Sequence, residues 1–210
     1  GLKHPNAGKS LLRIAKMYGS GNGRENEELV LGYFNQTAAV LKHSNLGARE
    51  RGSVLNDIAV IHMRRKEFEE AIKFLLDAIH TYDEDAVEIE NAGRTTAALQ
   101  VWRNLGECYT QVQKFRSAEG AFLKALQIQK DGRKLQDMAE RLNLAVIGVD
   151  KPLLKLITDT SIADTICRIG KTRAAVGDHP TALDFFMQAL AILHRGANND
   201  KNRPNQELME

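Results

Sequence analysis

Gly8-Lys9-Ser10 has the residues that close a phosphate-binding loop, in which backbone N–H groups and a lysine hold a nucleotide's phosphates. That motif also requires a glycine five positions before Gly8, at the end of a strand. Lys3 stands there and no strand pattern precedes it, so the tripeptide reads as a helix N-terminus. The six histidines, at 4, 43, 62, 80, 179 and 194, form no His-x3-His or Cys/His pair with ligand spacing. Cys108 and Cys167 lie far apart, each inside an apolar stretch, and read as reduced core thiols. Serines and carboxylates are present, but none stands in a nucleophile elbow or triad context. Arg64-Arg65-Lys66 is a short basic turn without the interleaved aromatics or extended basic stripe that nucleic acid requires. These residues point to no catalytic site, metal or cofactor.

The surrounding composition agrees. With 43% hydrophobic and 27% charged residues, 210 residues suit one folded domain or one array of repeats. A net charge of +2 is too small to imply a nucleic-acid or membrane surface. No apolar run reaches the ~18 residues of a membrane span, and the N-terminus lacks the layout of a signal peptide. Gly1 stands without an initiator Met and runs directly into a helical pattern, which suggests a piece of a longer protein.

Apolar residues recur at i, i+3, i+4 and i+7 almost throughout, and strand-like alternation is absent, so the fold class is all-α. The pattern also repeats at long range. Ala15, Ala59, Gly106, Ala145 and Gly170 each follow an apolar residue (Ile14, Ile58, Leu105, Leu144, Ile169), as in helices that must approach a neighbour closely. A second set repeats one small–large–small face: Ala71/Leu75/Ala78, Ala118/Phe122/Ala125 and Ala182/Phe186/Ala189. In the first unit this pattern is weaker, with Leu29 and Tyr33 as its equivalents.

The best-formed unit is Trp102-x2-Leu105-Gly106-x2-Tyr109 followed by Ala118-x3-Phe122-x2-Ala125, which resembles the tetratricopeptide repeat (TPR) signature. The resemblance covers roughly 7–195. It implies a right-handed α-solenoid of about five helical hairpins over 1–195, with 196–210 as a polar, disordered tail or linker. The anchors lie 44, 47, 39 and 25 residues apart, against ~34 in a standard repeat. Long repeats with Asn104-Leu105-Gly106 and Asn143-Leu144-Ala145 resemble kinesin light chains and Pins-type polarity adaptors. Gln129-Lys130-Asp131-Gly132, leading to Met138, is similar to their inter-repeat link. In the short last interval, Gly148, Asp150 and Pro152 stop a helix. The fourth hairpin is therefore expected to be degenerate; a continuous bent helix or a different packing is the alternative.

In a TPR hairpin the residue before the Leu-Gly pair faces away from the hairpin core, into a concave groove. The resemblance thus implies a groove row of Arg13, Asp57, Asn104, Asn143 and Arg168, extended by Asn56, Arg103, Lys16, Glu107 and Lys171. Amides both donate and accept, which matches the alternating N–H and C=O of an extended peptide. The function implied is a non-enzymatic protein-interaction module, an adaptor or scaffold binding a partner's extended, acid-containing segment. It would be cytoplasmic or cytoskeleton-associated, with no nucleic acid, no membrane insertion and no cofactor. A carboxylate clamp for chaperone tails is disfavoured, because Asp57 would repel the terminal carboxylate. Regulatory domain of a larger enzyme and self-associating structural module are the alternatives. On this reading, Asn104→Ala with Asn143→Ala abolishes partner capture and leaves stability nearly unchanged.

Overall fold

The computed structural model describes residues 27–42, 48–84, 92–141 and 157–201, together with Ser10, Leu11, Arg13, Ile14 and Met17 near the N-terminus. Every element among the described residues is an α-helix, as the periodicity required. The helices are α1 (Glu27–Lys42), α2 (Ala48–Arg64), α3 (Phe68–Glu84), α4 (Ala92–Gln111), α5 (Phe115–Arg141), α6 (Asp159–Ala175) and α7 (His179–Lys201). Acidic first turns on α1 (Glu27, Glu28) and α3 (Glu69, Glu70) complement the positive N-terminal end of the helix dipole.

The chain forms two compact units, Gly1–Lys114 and Phe115–Glu210. In the first unit α1 packs on α2, α2 on α3 and α3 on α4, and α2 also meets α4. Its core gathers Val30, Phe34, Leu41, Val54, Ile58 and Ile61, flanked by Phe74. Ala59, Ala71, Leu75 and Ala78 are also buried, as the repeat pattern predicts. At Gly52 an added Cβ would clash with the ring and hydroxyl of Tyr82, so that close approach needs a residue without one.

In the second unit α5 packs on α6 and α6 on α7. Ala118, Phe122, Ala125, Ile166, Ile169, Ala182 and Ala189 are buried. Gly170 earns its place as an anchor: a Cβ there would lie 2.7 Å from the Phe186 ring. Buried threonines do not strand a hydroxyl, because Thr165 and Thr172 donate to the carbonyls of Ser161 and Ile169 in their own helix.

Three turns share one backbone design. Lys66, Gln113 and Gly177 take positive φ of 63°, 57° and 84°. In each, that residue's N–H bonds three residues back: Lys66 to Met63, Gln113 to Thr110, Gly177 to Ala174. The following N–H bonds five back: Glu67 to His62, Lys114 to Tyr109, Asp178 to Arg173. This is the Schellman termination, which satisfies the carbonyls a helix end leaves open. Each left-handed residue lies seven positions after its anchor (Ala59, Gly106, Gly170) and five before Ala71, Ala118 or Ala182. Turn and repeat therefore share a register.

Two boundaries differ from the sequence reading. Gln129-Lys130-Asp131-Gly132, expected as an inter-repeat link, lies inside the 27-residue helix α5. One glycine costs a helix only about 1 kcal/mol, and Gln127, bonded to Asp131 at 2.7 Å, braces that turn. Helix α7 also runs on to Lys201, into the stretch expected as a linker, since no proline interrupts it before Pro204. The expected degenerate fourth hairpin, including Asn143-Leu144-Ala145 and Pro152, lies outside the described residues, as does the tail beyond Lys201.

Candidate functional site

In the expected groove row, Asn104 and Asn56 are tied together directly. Asn104 on α4 donates its side-chain amide to Oδ1 of Asn56 on α2, at 2.9 Å. The sequence reading did not include a third member, Gln100, which donates to Oδ1 of Asn104 at 3.1 Å. The spacing contained the signal, for Gln100 sits one helical turn before Asn104, the separation at which side chains on one helix meet. All three side chains are half-buried.

The result is a relay of amides, Gln100 to Asn104 to Asn56, crossing from one helix to another of the same register class. Each amide has two donor and two acceptor sites, so the relay uses only part of its capacity. The hydrogen bonds fix the orientation of the amide planes. Asp57, Arg103 and Glu107 are half-buried on the same two helices, and Gln111 donates to Glu107 at 3.3 Å. Arg13 is exposed in the N-terminal segment. Lys16 and Asn143 lie outside the described residues.

In the second unit Arg168 bonds to Asp164 one turn earlier, at 3.0 Å, and its guanidinium lies 6.0 Å from the centroid of the Phe122 ring. It is thus anchored by an ion pair and a cation–π contact. Lys171 beside it is exposed.

Cys108 and His62, two groups able to do chemistry, have structural surroundings. Burial, and secondarily the charge of Glu107, push the Cys108 thiol up to about 12, so it is neutral and a poor nucleophile. Both cysteines are free. His62, three residues after Ala59 as Tyr109 is after Gly106, stacks on Phe74 with centroids 5.3 Å apart and meets Glu67 at 2.6 Å. Among the described residues no group of three His, Cys, Asp or Glu side chains could hold a metal ion. No described helix is long and apolar enough to cross a membrane.

Comparison with known proteins fits this architecture. Residues 51–84, the α2–α3 hairpin, match the tetratricopeptide repeat family model. Among solved structures, a variant of a kinesin light chain-type protein from Podosopora anserina, with nearly identical TPR-like repeats, aligns with a TM-score of 0.60 at 14% identity. That alignment covers 93% of this chain and 79% of that one. BtubC (BKLC) from P. vanneervenii aligns with a TM-score of 0.53 at 18% identity, over 95% and 76% of the two chains. These likenesses establish the fold, an all-α TPR repeat architecture similar to kinesin light chain-type proteins. No curated protein matches the sequence.

Proposed function

We propose that this chain is a non-enzymatic protein-interaction module that holds an extended peptide segment of a partner along its polar row. In this reading it is an adaptor or scaffold in a cytoplasmic assembly. The TPR repeat fold is itself a protein–protein interaction architecture, and the site chemistry gives the reading its detail. The observation that carries it is the amide relay Gln100–Asn104–Asn56, which spans two helices. Oriented amides with spare donors and acceptors suit a ligand whose backbone alternates the same groups. Arg103 beside Asn104 suits a carboxylate, which a guanidinium can grip with two parallel hydrogen bonds.

A peptide array tests this directly. Extended peptides graded in acidic content are probed with the 210-residue chain and with Asn104→Ala/Asn143→Ala, while melting is followed in parallel. The expected result is selective capture of acid-containing peptides by the parent chain and at least ten-fold weaker capture by the folded double variant. Equal capture by both would refute the amide row as the binding element.

A further inference from the structure

Helices α4 and α6 carry a pair of side chains at equivalent positions but with different chemistry. Gln100 and Asn104 stand six and two residues before the anchor Gly106, and Asp164 and Arg168 stand six and two before the anchor Gly170. Each pair is one helical turn apart and bonds internally, at 3.1 Å in α4 and 3.0 Å in α6. In α4 the pair is neutral and the earlier residue donates. In α6 it is charged and the later residue donates, Arg168 Nε to Asp164 Oδ2.

Two contacts of unequal permanence set the Arg168 guanidinium in place. Beneath it, at 6.0 Å, lies the Phe122 ring, which is only 1% exposed. That ring belongs to the core and stays where packing holds it. Beside it, Asp164 carries the Nε contact from a side chain that is 44% exposed. An exposed ion pair of this kind contributes little to stability, so its carboxylate can turn to water and another anion can replace it. Arg168 is therefore a seated cation whose present counter-ion is exchangeable. Lys171, three residues later and exposed, adds positive charge on the same helix.

We propose that Asp164 is an internal competitor for Arg168 and so determines specificity. In the unbound chain its carboxylate occupies the guanidinium edge that an acidic side chain of the partner's segment takes on binding. This rests on the extended-peptide reading above, and adds to it the residue that sets which segments are accepted. The exchange swaps one carboxylate for another at the guanidinium, so no proton moves and no buried charge is left unpaired. A segment without a carboxylate at this point cannot displace Asp164 and gains nothing from Arg168. One that has it binds against the competing charge. Discrimination thus comes from a repulsive element as well as an attractive one.

The test follows the Nε–Hε resonance of Arg168 by NMR in the isotope-labelled 210-residue chain, assigned by its loss in Arg168→Lys. The probes are the tightest acid-containing peptide of the array and a copy with every Asp and Glu changed to its amide. The acidic peptide should move the resonance, and the amide copy should not. Asp164→Asn keeps the shape of the competitor and removes its charge. It should tighten the acidic peptide about two- to five-fold, the scale of one exposed ion pair, and leave the amide copy and the melt as they were. A pair that only braces the helix would change neither the resonance nor the ratio of the two affinities. The proposal is overturned if the acidic peptide leaves the resonance in place, or if Asp164→Asn binds it no tighter than the parent does. Equal tightening of both peptides overturns it as well. In those cases capture that still depends on Asn104 and Asn143 leaves the peptide reading standing, whereas absence of capture by the parent chain removes both.

Discussion

Asn104→Ala is expected to weaken folding measurably, whereas the groove reading of the sequence alone expects almost no effect. The side chain makes two neutral hydrogen bonds, at 3.1 Å from Gln100 and 2.9 Å to Asn56. A neutral hydrogen bond contributes about 0.5–1.5 kcal/mol net. Half-burial lets water replace part of each, so Asn104→Ala should lose about 1–2 kcal/mol and Asn56→Ala, with one bond, about 0.5–1 kcal/mol. The bond between them disappears only once in the double variant. Its loss should therefore fall short of the sum of the singles by about 0.5–1 kcal/mol, the coupling expected for directly bonded neighbours. Urea unfolding of the four proteins at neutral pH, followed by far-ultraviolet circular dichroism, measures all the terms. Strict additivity, within about 0.3 kcal/mol, would show that the relay is not formed in solution and would remove the physical basis of the binding row. The same numbers govern the capture assay, because a binding loss counts only where the variant remains folded.

Other expectations come from the turns, the caps and the thiols. Lys66→Gly and Gln113→Gly should each stabilise by about 0.5–1 kcal/mol, because they remove the left-handed penalty of a side chain. Gly177→Ala should destabilise by a similar amount, so denaturant midpoints moving in the opposite direction would refute the shared turn design. The side chain and N–H of Thr181, with Arg173 beside them, hold the Asp178 carboxyl below its ordinary value. Its stabilising contribution is therefore present above the unfolded pKa and is lost as pH falls through the lower folded value. Asp178→Asn should flatten that acid limb in a pH series of melts, and an unchanged limb would contradict the cap. In the native chain Cys167 should react with a thiol reagent well before Cys108, whose proton burial retains. Equal rates in the folded state would contradict that burial.

Much of the fold was legible because it rests on short-range periodicity. Ala71, Ala118 and Ala182 could be aligned by eye, and all three are buried where the pattern required. The turns were harder to read. Gly177 announces a left-handed residue, but Lys66 and Gln113 adopt the same φ without any sequence cue, because the register of the flanking helices imposes it. The stretch Gln129–Gly132, expected as an inter-repeat link on resemblance alone, lies inside a helix. In the fold Gln129 is buried and bonded to Ser161, 32 residues away, which favours continuing the helix.

The same division applies to the candidate site. Residue types and spacing by themselves determined an all-α repeat chain and the small anchors at Ala59, Gly106 and Gly170, whereas the polar row was only implied by the resemblance. They did so because helix period and repeat period are properties of neighbours along the chain. Only the tertiary structure decided that Asn104 bonds across 48 residues to Asn56, that Gln100 joins them, and that Leu183, Leu190 and Leu193 are left exposed. Which face of a helix is covered, and by what, depends on segments far apart in sequence, and no local pattern carries that information.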